Sequence, residues 1–183
     1  FQAFVRGWPA SRTGSVDPGA FGADRRLGRE DFRELFISQL ISRHLDLMAR
    51  VLRVQNKVYY TIGSSGHEGN AMVARAARHT DPAFLHYRSG AFMAERFRKL
   101  PDDPASGGRH KVWGSKPLWV LPQTSTIASH LPKAYGTALA IGQARRLGRP
   151  LPIPVDSIVI CSFGDASANH ATAQVAFNTT EWA

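Results

Sequence analysis

An α/β fold is predicted for this chain by three features. Short apolar runs alternate with stretches of helical periodicity, the pattern of helices packed on a parallel sheet. The run Ser157-Ile-Val-Ile-Cys-Ser-Phe163 is β-branched and apolar, as a buried parallel strand is. It stops abruptly in a small-residue turn, Gly164-Asp165-Ala166-Ser167-Ala168-Asn169, that carries one acid. A turn between strand end and helix start is where open α/β sheets bind ligands. Small residues let a phosphate approach the backbone, and a helix start offers N–H groups without intrahelical partners. A carboxylate there would repel phosphate, so its expected task is to hold a cation that phosphates share. Mg²⁺, a hard oxygen-seeking ion, is the natural candidate. The plainer alternative for Asp165 is an ordinary helix cap.

The elements follow in order. Residues 1–28 are rich in Gly, Pro, Ser and Arg without periodicity and are expected to form an extended arm, with the folded domain over 29–183. A helix is predicted from Glu30 to Val54, with Phe32, Leu35, Phe36, Leu40, Leu47, Met48, Val51 and Leu52 as its apolar face. Tyr59 to Gly69 reads as a loop, and an alanine-rich helix follows from Glu68 to His79, ended by Thr80-Asp81-Pro82. Ala83 to Tyr87 is a short apolar run, and a helix is expected from Ala91 to Leu100. Pro and Gly break up residues 101–124. The next helix is predicted from Ser129 to Leu147, with Ser129 as N-cap and Pro132 in the first turn. Its small residues Ala134, Gly136, Ala138, Ala140 and Gly142 would allow close packing. After the strand at Ser157, a last helical pattern runs from about Asn169 to the end. A βα unit calls for another parallel strand, so the chain is expected to be part of a longer polypeptide, incomplete at its C-terminus.

Bulk properties bound the function. The 183 residues suit one ordinary domain and carry a formal net charge of +9. The arginines fall in scattered groups (Arg25, Arg26 and Arg29; Arg96 and Arg98; Arg145, Arg146 and Arg149) with no zinc-finger spacing or aromatic-interleaved basic stripe. Nucleic-acid binding is therefore the weaker reading of the charge. A single cysteine, Cys161, rules out a disulfide framework within the chain. It is expected to be a buried, inert thiol, and a reducing cytoplasm fits. No run approaches the ~20 apolar residues of a membrane span, and Phe1 to Arg6 lacks a signal-peptide pattern.

Four motifs in order add a resemblance. They are Tyr60-Thr-Ile-Gly-Ser-Ser-Gly-His-Glu68; Asp81-Pro-Ala-Phe-Leu-His-Tyr-Arg88-Ser-Gly90; Gln123-Thr-Ser-Thr-Ile-Ala-Ser-His-Leu-Pro-Lys-Ala-Tyr-Gly136; and Gly164-Asp165-Ala166-Ser167-Ala168-Asn169. Together they resemble the alpha subunit, or alpha half of a fused chain, of the thiamine-diphosphate-dependent decarboxylating component of 2-oxo acid dehydrogenase complexes. The likeness leans towards bacterial members. It implies a thiamine-diphosphate-binding fold and oxidative decarboxylation of a 2-oxo acid, of pyruvate or branched-chain type, with acyl transfer to a lipoyl group. The implied cofactors are thiamine diphosphate and Mg²⁺. The implied partners are a beta subunit or beta-like half and a lipoyl acyltransferase, in an α₂β₂ assembly or homodimer without membrane or nucleic acid.

The resemblance also implies residue roles. Asp165 would hold Mg²⁺, while Gly164, Ala166 and Ser167 would bring backbone N–H groups and close approach to the diphosphate. Tyr87 and Arg88 would donate to phosphate oxygens. Ser125 and Ile127 would line the cofactor, Ile127 propping its bent form. His110 would serve as an active-site histidine, and Glu68 would pair with an arginine or cap its helix. Thr124, Ser129 and His130 match a monovalent-cation loop of some members, but a neutral imidazole is a poor potassium ligand. Ala166 replaces a usual glycine, a second metal-binding Asn would fall beyond Ala183, and the Arg98–Gly107 connection is short. The isolated chain is thus expected to be inactive. Other thiamine enzymes, acetoin-cleaving or transketolase-type, are the alternatives, along with a non-catalytic subunit.

Overall fold

A computed structural model describes residues 27–99, 114–122 and 125–182. The chain divides into two units, residues 1–34 and 35–183. Most of the expected arm, and the residues from 101 to 113 that include His110, lie outside the described residues.

The elements are α1 (Arg29–Val54), α2 (Asn70–Ala76), β1 (Ala83–Phe84), α3 (Gly90–Lys99), α4 (Leu131–Arg146), β2 (Ile160–Cys161), a 3₁₀ turn (Asp165–Asn169) and α5 (Ala171–Trp182). β1 and β2 are parallel, with Ala83 opposite Ile160 and Phe84 opposite Cys161. The architecture is α/β: a small parallel sheet flanked by helices. Both strands are shorter than their apolar runs. Ile160 N–H donates to Pro82 and Ser162 N–H to Phe84, framing the ladder. Upstream, Ile158 N–H goes instead to the Asp81 carboxylate at 3.2 Å, so a side chain replaces the neighbouring strand. Downstream of β1, Ser89 N–H closes a turn onto His86 O, which ends the extended backbone.

One core cluster joins Ala74, Ala83, Leu85, Phe92, Met93, Leu118 and Val120. A second joins Ala128, Leu131, Ala173 and Ala176 between α4 and α5. Arg96 on α3 is wholly buried. Its guanidinium donates to the carbonyls of Asp81 (2.9 Å), Arg78 and His79 (3.3 Å each) and Leu118, and lies 4.7 Å from the Phe92 ring centre. Burial pulls its pKa down to about 10, which still leaves it charged at neutral pH. Beside it, buried Glu95 pairs with Arg75 at 2.6 Å and accepts from Ser38 Oγ at 2.7 Å.

Several expectations need correction. Ser129 does not cap α4: its hydroxyl donates to Thr126 O at 3.1 Å, and the N-cap is His130, without a side-chain cap bond. Gly136 and Gly142 pack against nothing, since a Cβ on either would meet no atom within 4 Å. Of the expected apolar face of α1, Leu35 is buried and Phe32 and Leu52 are half-buried, but Phe36, Leu40, Leu47, Met48 and Val51 point outward, because α1 turns Ser38, Ser42, Asp46 and Ala49 inward beside Leu35. Ser38 is drawn in by Glu95 and Asp46 by Ser64, so hydrogen bonds rather than apolar burial orient this helix. Cys161 is half-buried rather than buried as expected, and what burial it has pushes its thiol up to about 12. Among the described residues, no helix is long and apolar enough to cross a membrane.

Candidate functional site

Because β1 and β2 are parallel and in register, their carboxyl ends open on the same edge. The exit of β1 is His86-Tyr87-Arg88; the exit of β2 is Ser162 to Ser167. Ser162 fixes the second exit. Its N–H donates to Phe84 O at 2.9 Å, its carbonyl accepts from His130 Nε2 at 2.8 Å, and its hydroxyl receives Asn70 at 2.9 Å and lies 3.2 Å from Ser89 Oγ. His130 must carry its proton on Nε2 to bond a carbonyl, and burial lowers its pKa.

His86 joins the two exits. Arg88 N–H donates to its Nδ1 at 3.3 Å, which places the proton of the neutral ring on Nε2. Nε2 faces Gly164 so closely that a Cβ there would sit 3.4 Å from it. The ring stacks on His67, with centres 4.7 Å apart, and packs on Tyr87 at 3.8 Å. Tyr87 meets Tyr60 edge-on at 5.9 Å, and the Tyr60 hydroxyl bonds Ser125. Burial, then Tyr87, raises the Tyr60 pKa despite that bond.

Arg88 lies 5.2 Å from the Tyr87 ring centre, and its Nη1 donates to Gly63 O at 2.6 Å. From the other side, Asp46 accepts both Ser64 N–H and Ser64 Oγ at 2.7 Å. Glu68 lies 3.7 Å from Arg43, the expected arginine pairing, and accepts Gly66 N–H at 2.8 Å; it does not cap α2, whose N-cap is Gly69 without a side-chain cap bond. The glycine loop is thus held at three points.

Asp165 opens the 3₁₀ turn, exposed. The cap is Gly164, with no side-chain cap bond, so the helix-cap alternative fails. Among the described residues its carboxylate makes no hydrogen bond or ion pair; its charge acts on His67, raising that pKa against the stronger lowering by burial. Ala166 is exposed beside it. Ser167 departs from expectation: its N–H is engaged by Gly164 O at 2.9 Å, so it is not an open donor. Ile127 is half-exposed, in the turn before α4, two residues beyond Ser125.

The structure therefore brings Tyr87, Arg88, Gly164, Asp165 and Ser167 to one edge and links Ser125 to them through Tyr60. Sequence reasoning missed Tyr60, His67 and His86. The signal available was their place inside the first two motifs, next to residues already singled out.

Among the described residues, no group of three or more His, Cys, Asp or Glu could hold a metal ion alone. A lone, unengaged carboxylate fits Mg²⁺ all the same, since that ion takes one or two carboxylates together with phosphates and water. A zinc-type cage is not what these residues offer.

Burial, then His67, Arg88 and His130, pulls the His86 pKa from 6.5 down to about 4. Between those values the unfolded chain binds the extra proton. This contribution to stability is therefore full above about pH 6.5 and is lost as pH falls towards about 4, up to ~3 kcal/mol. Thermal melts between about pH 7 and pH 5 should show the loss, and His86→Gln should reduce its slope. A wild-type Tm that does not fall over that range would contradict this placement of His86.

No family model matches the chain. It is 24% identical over 168 residues to the mitochondrial 2-oxoisovalerate dehydrogenase subunit alpha of Mus musculus, covering 85% of this chain and 36% of the relative. The Homo sapiens protein of the same name is 24% identical over 167 residues, with the same coverage. The chain is a remote homologue of these alpha subunits. It spans 36% of the length of the curated relatives it matches. The motif resemblance and these matches point to the same family in general, while the lean towards bacterial members stays an expectation.

Proposed function

We propose that this chain is the diphosphate- and metal-holding part of a thiamine-diphosphate-dependent 2-oxo acid dehydrogenase. The observation that carries the reading is the unengaged Asp165 carboxylate at the end of β2, beside Tyr87 and Arg88 at the end of β1. When bound, thiamine diphosphate supplies the electron sink for loss of CO₂. Asp165 would hold Mg²⁺ against the diphosphate. Arg88 keeps donors beyond the one given to Gly63 and would direct them to phosphate oxygens, with the Tyr87 hydroxyl beside it. Gly164 and Ala166 would let the diphosphate approach the backbone. Ser125 and Ile127 would line the thiamine side, and His110 would act on the substrate.

The acyl product would pass to a lipoyl group on an acyltransferase. A beta subunit or beta-like half would complete the active site in an α₂β₂ or homodimeric assembly. The relatives are named for 2-oxoisovalerate, a branched-chain 2-oxo acid, so that class is the first substrate to assay, with pyruvate second. The test is calorimetric titration of thiamine diphosphate with Mg²⁺ into the full polypeptide and its partner. Saturable binding is expected, weakened by ~1.5–3 kcal/mol in Arg88→Ala, the scale of a hydrogen bond to a charged group. Absent wild-type binding, or equal affinity of the variant, would refute the reading.

A further inference from the structure

Arg88 takes its direction from the glycine loop. Its Nη1 donates to Gly63 O at 2.6 Å, so one corner of the guanidinium is tied there and the remaining donors are aimed by that tie. Apolar burial does little to fix the loop itself: Tyr59 and Ile62 are 82% and 41% exposed, and Tyr60 meets Tyr87 edge-on. The grip is polar and comes from α1. Buried Asp46 accepts Ser64 N–H and Ser64 Oγ at 2.7 Å each, and Ser64 is wholly buried. The same carboxylate oxygen closes on Gly63, where a Cβ would sit 3.2 Å from it, tighter than side chains ordinarily pack. Arg43, three residues before Asp46 on α1, donates to that oxygen at 3.2 Å.

Gly63 O and Ser64 N–H belong to one peptide unit. That unit is planar and trans, so its carbonyl and its N–H point in opposite directions and turn together. Asp46 holds the N–H, and Arg88 holds the carbonyl. We propose that Asp46 is a positioning residue for Arg88: by fixing the Gly63–Ser64 peptide from behind, it sets where the guanidinium presents its remaining donors to the diphosphate. The opposite charges at the two ends polarise the shared amide, and each hydrogen bond strengthens the other. The inference rests on the cofactor reading and adds to it a buried group on α1, behind the site.

The test is calorimetric titration of thiamine diphosphate, and of inorganic pyrophosphate as the diphosphate alone, each with Mg²⁺, into the full polypeptide and its partner. Asp46→Ala should weaken both ligands about tenfold, the coupling expected within one hydrogen-bond network. In an Arg88→Ala background the same change should cost less than about twofold, because the donor it positions is gone. Asp46→Asn keeps an oxygen for Ser64 but loses the charge, so it should fall between Asp46→Ala and wild type. Circular dichroism and a thermal melt follow the fold. If Asp46→Ala does not fold, Ser64→Ala, which loses one of the two bonds, carries the same comparison at about two- to threefold. A merely structural Asp46 would lower the melting temperature and weaken binding equally in both backgrounds, or not at all. Either result overturns the proposal and leaves the cofactor reading standing. Wild-type protein that binds neither ligand would refute the cofactor reading itself, and this inference with it.

Discussion

Asp165→Ala is expected to abolish Mg²⁺-dependent thiamine diphosphate binding while the protein stays folded. The two halves of this expectation have separate causes. The carboxylate is exposed and makes no hydrogen bond or ion pair among the described residues, and it does not cap the 3₁₀ turn. Removing it therefore costs the fold no more than an ordinary surface change, within about 0.5 kcal/mol. For the ligand, on the proposed reading, the same group is the carboxylate that would hold Mg²⁺ at the end of β2, where the ion takes an oxygen anchor alongside the diphosphate. Affinity should drop at least ~100-fold, or about 2.7 kcal/mol. Calorimetry in the full polypeptide, with a thermal melt of the same sample, reads both. Asp165→Asn, which keeps the shape and loses the charge, should behave like the alanine variant. Tight Mg²⁺-dependent binding by either variant would remove Asp165 from the metal.

Arg96→Met should be the most damaging single change to stability. The side chain is fully buried and supplies donors to carbonyls of Arg78, His79, Asp81 and Leu118, which come from two separate loops. Methionine fills much of the volume but donates nothing, leaving those carbonyls without this donor. The expected loss is about 3–5 kcal/mol, because several carbonyls lose a charged donor at once and each such hydrogen bond is worth about 1.5–3 kcal/mol. Arg96→Lys keeps the charge, but a single ammonium cannot span the fork, so it should fall between the two. Urea denaturation checks the order. A methionine variant within about 1 kcal/mol of wild type would show that the carbonyls find other partners.

Much of the fold was legible because helical periodicity is a local property. The helices around Arg29–Val54 and Leu131–Arg146 lie within two residues of their predicted ends. Which way a helix faces is not local. The apolar period of α1 announced a stripe, and the natural inference buried it. The inward face is chosen by Glu95 and Ser64, which are 57 and 18 residues away from the side chains they hold. Strand length was over-read for a similar reason: an apolar run records what could be buried, while pairing depends on what lies alongside. At the site, the Gly164–Asp165 turn was readable because strand, small residues and acid follow one another directly. His86 and His67 carried no spacing signal of their own. Their stacking exists only once two loops converge, so only the surrounding motifs could have pointed to them.

Ser162 has a consequence for how any ligand would be received. Its amide, carbonyl and hydroxyl are committed to Phe84, His130, and Asn70 with Ser89. The residue two positions before Gly164 is thereby anchored to a strand, to the start of α4 and to the start of α2. The approach to the Asp165 turn is rigid before anything binds, and little backbone entropy remains there to be lost on association. Affinity at this edge is then governed by the chemistry of the exposed groups rather than by the cost of ordering the chain that presents them.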